Sequence, residues 1–417
     1  MSHRTLIALC LVSALACKGE PRDSAGSESA IALPPDNEES SLSSRDYRSV
    51  AENVVAQSAG VQEGDLVLLF GRDQDLHLLE DLAVEVRKRG GSSLVSVGSD
   101  RIGRRMYDEV PAKYDAQTPE MMAKLAGIVD VVILTESEEG RAYKGVPPER
   151  IAARGKAAAP ISELMRKRGV RTVALGNGLY PTAERAEQFG VSPDELADMM
   201  FGGLETDYQK LQATGQQVRQ MLASGKELRI TNPNGTDLRV GIAGQPVRVN
   251  DGIISPEDRK QGGGATSVWL PAGEVYLVPV AGTGTGTVIA DQFFYLGEPI
   301  TKLKLDFKDG KLISMTAEEG LEPLQAAYNA AGQGKDLLGV IDLGINAGIQ
   351  SPDRSPLHVW AKTGTVTVSV GDNTWAGGDN RASFGFAAYS PGSSVTVDGK
   401  PLIQDGKLVV GESMAVR

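Results

Sequence analysis

Between Leu66 and Leu175 short apolar runs alternate with amphipathic stretches, and this limits the fold more than any other feature of the chain. Leu66-Val67-Leu68-Leu69-Phe70 is continuously apolar, as a strand buried on both faces requires. Asp75–Arg89 follows, with Leu76, Leu79, Leu82, Ala83 and Val86 at the helical spacing of three and four residues, and Gly90-Gly91 stops it. Ser93–Val97 reads as the next strand, then a helix near Pro119–Ala126, a strand at Val129–Leu134, a helix at Ile161–Arg168 and a strand at Val170–Leu175. Such alternation predicts a parallel, doubly wound sheet, giving an α/β N-terminal domain over 48–225. Within it, Ser192-Pro193-Asp194-Glu195 is a capping box with proline at the first helical position. It opens a helical region that runs to Leu222 and is weakest at Gly202-Gly203.

After Gly225 the character is β, and 226–417 is expected to be a β-rich α+β domain. Glu227–Ile230, Asp237–Ile242 and Val268–Leu270 are short strands, and Asn234-Gly235 and Asp309-Gly310 are hairpin turns. Leu321–Ala331 is a single amphipathic helix, and Ser394–Val397 and Lys407–Val410 are the last strands. The most regular stretch is Gly364–Tyr389. Val366, Val368 and Val370 alternate with Thr365, Thr367 and Ser369, the pattern of a half-buried strand. Gly371-Asp372-Asn373 ends it, Gly377-Gly378-Asp379-Asn380 makes a second loop, and Ser383–Tyr389 returns.

A net charge of -11 without a basic stripe argues against a nucleic-acid partner. Cys10 and Cys17 are the two cysteines, so no disulfide or thiolate metal site follows Cys17. Leu6–Ala16 is apolar but too short to span a bilayer, and Ala14-Leu15-Ala16-Cys17 resembles a bacterial lipobox. Residues 1–17 are therefore read as a lipoprotein signal with Cys17 as the acylated residue. That implies export to a bacterial cell envelope, with the membrane contacted through the lipid anchor alone. Residues 18–47, rich in Ser, Glu, Asp and Pro, are read as a disordered linker.

The glycine and asparagine frame of 364–389 resembles the catalytic block of the aminopeptidase T family, the thermophilic metalloproteases. There it reads approximately G-T-x-H-x-A-x-G-x-N, then G-G-x-N, then H-x-D. Gly64-Asp65, Pro181-Thr182, Val191-Ser192-Pro193-Asp194, Asp207 in a long helix and Thr231–Arg239 resemble the same family in order. The resemblance implies an ancestral release of N-terminal residues from peptides by a pair of divalent ions. It makes Glu274, in Pro271-Ala272-Gly273-Glu274-Val275, and Asp342, in Gly339–Asn346, the candidate metal ligands. Asp342 stands where the family has glutamate and reaches roughly 1.5 Å less.

Three ligand positions are lost: Thr367 replaces the first histidine, and Gly385 and Ala387 replace His-x-Asp. Thr374 takes the place of the catalytic tyrosine, with Tyr389 near it in sequence, and no catalytic residue is assigned. His358, Asp372 and Asp379 are the candidate substitutes, while His77 is placed on the solvent side of its helix. Two carboxylates from a set of about five ligands should hold zinc, manganese or cobalt weakly or not at all. The expectation is a degenerate relative that binds peptides or small amines, with hydrolysis lost or reduced. An active metal-dependent aminopeptidase with a carboxylate-rich site is the alternative. The ligand should sit in a cleft walled by Glu274, Asp342 and the 364–389 block, and a homodimer is carried as a further expectation.

Overall fold

The computed structural model describes residues 46–352, 355 and 359–410. The signal, Cys17, the linker up to Arg45, and His358 lie outside the described residues. No helix among the described residues is long and apolar enough to cross a membrane.

The first four strands are β1 (Leu66–Arg72), β2 (Ser92–Gly98), β3 (Val131–Thr135) and β4 (Arg171–Leu175), all mutually parallel. The next three, β5 (Glu227–Thr231), β6 (Asp237–Gly241) and β7 (Val247–Asn250), leave that sheet. β8 (Ser267–Leu270) then returns to it, giving the order β2-β1-β3-β4-β8. The α/β unit is thus doubly wound as expected, but its fifth strand comes from beyond residue 225. Val268 and Trp269 give no warning, because a three-residue apolar run fits either kind of sheet. Tyr47, read as linker, is buried against Phe201 with ring centroids 6.0 Å apart.

The helices show where local reading fails. Pro148–Arg168 is one helix with Pro160 inside it, so treating the proline as a breaker halves its length. Asp100–Asp108, capped by Ser99, is a helix that the periodicity did not reveal. The region after Ser192 divides into Pro193–Leu204 and Tyr208–Ser224, and Asp207 caps the second helix through Gln209 N and Lys210 N, both at 3.1 Å. Gly202-Gly203 is not the hinge. A Cβ on Gly203 would press on Pro271 and Ile349, so these glycines permit close packing instead.

The remaining strands are β9 (Glu274–Leu277), β10 (Thr285–Tyr295), β11 (Glu298–Lys308), β12 (Lys311–Thr316), β13 (Leu338–Gly344), β14 (Val366–Gly371), β15 (Gly385–Ser390), β16 (Ser394–Val397), β17 (Lys400–Gln404) and β18 (Lys407–Leu408). They build two antiparallel sheets, β12-β11-β10-β6-β5-β16-β17-β18 and β15-β14-β13-β9-β7. Val275, Leu343, Val366, Val368, Val370 and Phe386 turn one face of the five-stranded sheet into the main core, where Val288 and Leu305 of the eight-stranded sheet also lie. Each such side chain contributes about 1.5–3 kcal/mol by leaving water. The same core contains Leu69, Ile133 and Leu175 from the parallel sheet, so the two units share packing.

Candidate functional site

The other face of the five-stranded sheet carries the polar residues. Asn250, Glu274 and Gly344 face one another across β7, β9 and β13. Two residues along, Arg248, Tyr276, Asp342, Thr367 and Tyr389 form a second row across all five strands. Ser369 then pairs with Ala387, and Gly371 with Gly385. Because directly opposed residues share a face and neighbours in a strand alternate, Glu274, Asp342, Thr367, Gly385 and Ala387 all belong to this one face. Glu274 and Asp342 are diagonal neighbours, with Cβ atoms at most about 7 Å apart.

Glu274 lies here because β9 begins four residues after β8 ends, across Pro271-Ala272-Gly273. Asn250 Nδ2 donates to Glu274 Oε2 at 2.7 Å and to the Trp269 carbonyl at 2.8 Å, clamping the carboxylate to the end of the parallel sheet. Asn346 Nδ2 fixes the neighbouring loops, donating to Gly203 O at 3.0 Å and Ala272 O at 2.6 Å.

This face is not open to solvent. Glu274, Asp342 and Thr367 are all 0% exposed, and β14 is buried along its whole length rather than on one side. The expected walling of a cleft by Glu274 and Asp342 is corrected accordingly: both lie underneath. The cover is aromatic. Trp375, in the turn after β14, stands 5.6 Å from Trp269, 5.5 Å from Tyr276 and 6.1 Å from Trp360 between ring centroids, and Trp360 stands 5.6 Å from Tyr389. All three tryptophans of the chain are in this group. Gly344, opposite Glu274, lets the Trp360–Lys362 backbone lie on the sheet, since a Cβ there would collide with the carbonyl oxygens of both residues. Arg248 Nε holds the turn from the far side, donating to Ala376 O at 2.9 Å.

Above Trp375 and Trp269 opens a cleft of about 680 Å³. The helix Pro148–Arg168, the parallel sheet, the Gly263-Gly264 loop and residues 372–383 line it. Its walls are mostly apolar, from Val132, Leu134, Met165 and the two tryptophans, while Asp372, Thr374, Glu163, Lys156, Arg166 and Arg381 supply the charge and hydrogen-bonding groups. Asp372 is a half-buried acid of this wall. Burial pushes its carboxyl up to about 6, against the Thr374 hydroxyl, which donates to it at 3.0 Å, and the charge of Arg381. Glu163 is engaged by Arg166 at 2.8 Å and by Arg381 at 3.5 Å. Of the proposed substitute ligands, Asp372 reaches the cleft and Asp379 is exposed on its loop. His77 is on the solvent side, as expected.

The donor set does not fit a dinuclear metal site of the kind the resemblance implies. The face offers two carboxylates, an amide and hydroxyls, while Thr367, Gly385 and Ala387, further along it, supply no imidazole and no third carboxylate. Among the described residues, no three of His, Cys, Asp and Glu are grouped to hold an ion. Sequence reasoning missed Trp269, Trp360, Trp375, Arg248 and Asn250. The clustering of the three tryptophans after residue 268 was the available signal.

Comparison with known proteins agrees with this fold. Aminopeptidase PepS of Streptococcus thermophilus is 26% identical over 301 residues, covering 65% of this chain and 70% of that protein. Wild-type AmpT from Thermus thermophilus superposes with a TM-score of 0.65 at 19% identity, over 87% of this chain and 98% of its own. A 2,5-dihydroxypyridine dioxygenase from Pseudomonas putida KT2440 shares the fold at a TM-score of 0.56 and 15% identity, over 90% of this chain and 99% of its own. The profile of the thermophilic metalloproteases (M29) matches residues 44–351, a span that ends before Thr367, Gly385 and Ala387. With most of its length covered by that match, the chain belongs to the thermophilic metalloprotease (M29) family.

Proposed function

We propose that this family member binds peptides or small amines in the cleft above Trp269 and Trp375, and that hydrolysis is lost or much reduced. The observation that carries the reading is the pairing of a sealed carboxylate face, without imidazole among its described residues, with an aromatic-walled cleft holding a half-buried acid. A metal of the family's kind would polarise a scissile carbonyl and activate water. In this chain, Asp372 would receive an ammonium group and the indole rings of Trp269 and Trp375 would pack the apolar body, with cation–π attraction adding to the ion pair. The alternative, an active aminopeptidase with a carboxylate-rich site, is favoured by Glu274 and Asp342 remaining neighbours on one face. Export and lipid anchoring through Cys17 belong to the same proposal and rest on the Ala14–Cys17 motif.

Elemental analysis of the purified full chain, with an aminoacyl-arylamide assay alongside, separates the two. Substoichiometric zinc, manganese and cobalt, no turnover and saturable peptide binding are expected. Stoichiometric metal with turnover lost in Glu274→Ala would overturn the reading in favour of the alternative.

The pH dependence is a second check. Asp372 carries its charge only above about 6, so affinity for an amine should be flat above that pH. Below it, affinity should fall by up to about tenfold per unit, and Asp372→Asn should be weak and flat throughout. In the free protein the sign is opposite. A raised carboxyl pKa favours the folded state while the proton is held, so its contribution is full below 3.8 and is lost as pH rises through about 6. Calorimetric titration from pH 5 to 8 reads the first effect; an affinity that did not change with acidification would remove Asp372 from the site.

A further inference from the structure

An ammonium ligand leaves the cations of the cleft unused, and they outnumber its acids. Lys156, Arg166 and Arg381 line it against Asp372 and Glu163, in a chain whose net charge is -11. Lys156, Glu163 and Arg166 share one face of the helix Pro148–Arg168, at whole-turn spacings. Arg166 takes both oxygens of Glu163, with Nη2 donating at 2.8 Å to each and Nε at 3.1 Å to Oε2. Arg381 only approaches that carboxylate, at 3.5 Å, and no hydrogen bond among the described residues occupies its guanidinium. Its side chain is 66% exposed, which leaves the planar fork accessible to a ligand.

The same arginine stands near the acid that meets the amine. Asp372 N donates to the Phe384 carbonyl at 3.0 Å, and Arg381 lies three residues before Phe384. Three residues of extended chain cover about 10 Å, which sets the scale of the gap between the two charges. The free ends of an extended dipeptide or tripeptide are about 7–10 Å apart. We infer that the cleft takes short peptides with both ends free, the ammonium on Asp372 and the terminal carboxylate on Arg381. This rests on the reading above that Asp372 receives the amine, and narrows it from amines in general to zwitterions of two or three apolar residues. Arginine suits the role because its fork donates two parallel hydrogen bonds to one carboxylate. Val132, Leu134, Met165 and the two tryptophans of the same cleft pack the side chains. A longer peptide carries its carboxylate past Arg381, and a free amino acid, with both charges on one carbon, does not span the gap.

Calorimetric titration of the full chain above pH 7 tests this with the dipeptide phenylalanyl-leucine, its carboxamide and its N-acetyl derivative. The dipeptide should bind about tenfold or more tighter than its amide. In Arg381→Gln the acid and the amide should bind alike, and the circular dichroism melt should be unchanged, since Arg381 is largely exposed. With three glycines inserted between the two residues, the acid should lose its advantage over the amide. Acid and amide binding equally to the parent chain, or a preference for the acid that survives Arg381→Gln, would overturn the carboxylate assignment. Asp372 as the partner of the amine would still stand in that case, provided N-acetylation abolished binding. An N-acetyl derivative that bound as well as the dipeptide would instead remove the amine reading, and the zwitterion with it. Binding by none of the three would sink both.

Discussion

Replacing Asp75 with alanine should lower the unfolding free energy by about 4 kcal/mol, a large share of the 5–15 kcal/mol that a folded chain has in total. Asp75 is 2% exposed and sits at the carboxyl end of β1, beside β3, where the sheet reverses its winding. It accepts four hydrogen bonds: from Arg72 N at 2.8 Å, Ser137 Oγ at 2.5 Å, Tyr180 Oη at 2.6 Å and the Thr135 hydroxyl. Burial raises the Tyr180 phenol well above its ordinary value, so it stays a donor over the whole accessible pH range. Alanine leaves four buried donors competing for whatever water enters, at about 1–3 kcal/mol each before relaxation. Asparagine keeps one acceptor oxygen and should cost about half as much. Urea unfolding at constant m-value reads the difference, and a midpoint shift worth less than about 1 kcal/mol for the alanine variant would show that the network is dispensable.

That network was invisible in the sequence, and the reason is instructive. The sequence pattern makes Asp75 the first residue of a helix, which is nearly where it lies, since the helix begins at Leu76. Nothing local announces that Thr135, Ser137 and Tyr180 converge on it from positions sixty or more residues away. Features carried by period and turn chemistry were legible. The β/α alternation gave the doubly wound sheet. Asn234-Gly235 and Asp309-Gly310 each join antiparallel partners, and positive φ at Asp309, Asp398 and Asp405 is what such tight turns demand. The candidate site was legible in part. Period-2 parity correctly set Thr367 opposite to the core-facing valines, and the resemblance singled out Glu274 and Asp342, which do share its face. Burial of that face was not legible, because polar alternation normally means solvent and the covering rings come from turns far along the chain.

The rings therefore allow burial and donor chemistry to be separated as causes of the proposed loss of metal. Trp360 is 1% exposed and among the largest fully buried side chains. Trp360→Ala should cost about 3–5 kcal/mol, from lost transfer free energy, lost edge-to-face contacts with Trp375 and Tyr389, and the cavity left behind. The cavity would open beside Tyr389, on the polar face that also carries Asp342 and Thr367, so it should fill with water rather than stay dry. If sealing were what keeps a catalytic ion out, this variant should take up manganese or zinc to stoichiometry. If the missing imidazoles are the reason, it should remain metal-poor while becoming less stable. The second outcome is expected, because solvent access restores neither donors nor geometry at Thr367, Gly385 and Ala387. Chemical denaturation measures the stability arm and elemental analysis after dialysis the metal arm. Stoichiometric metal in Trp360→Ala would mean that the two carboxylates suffice and that the tryptophans, not the lost ligands, silenced the site.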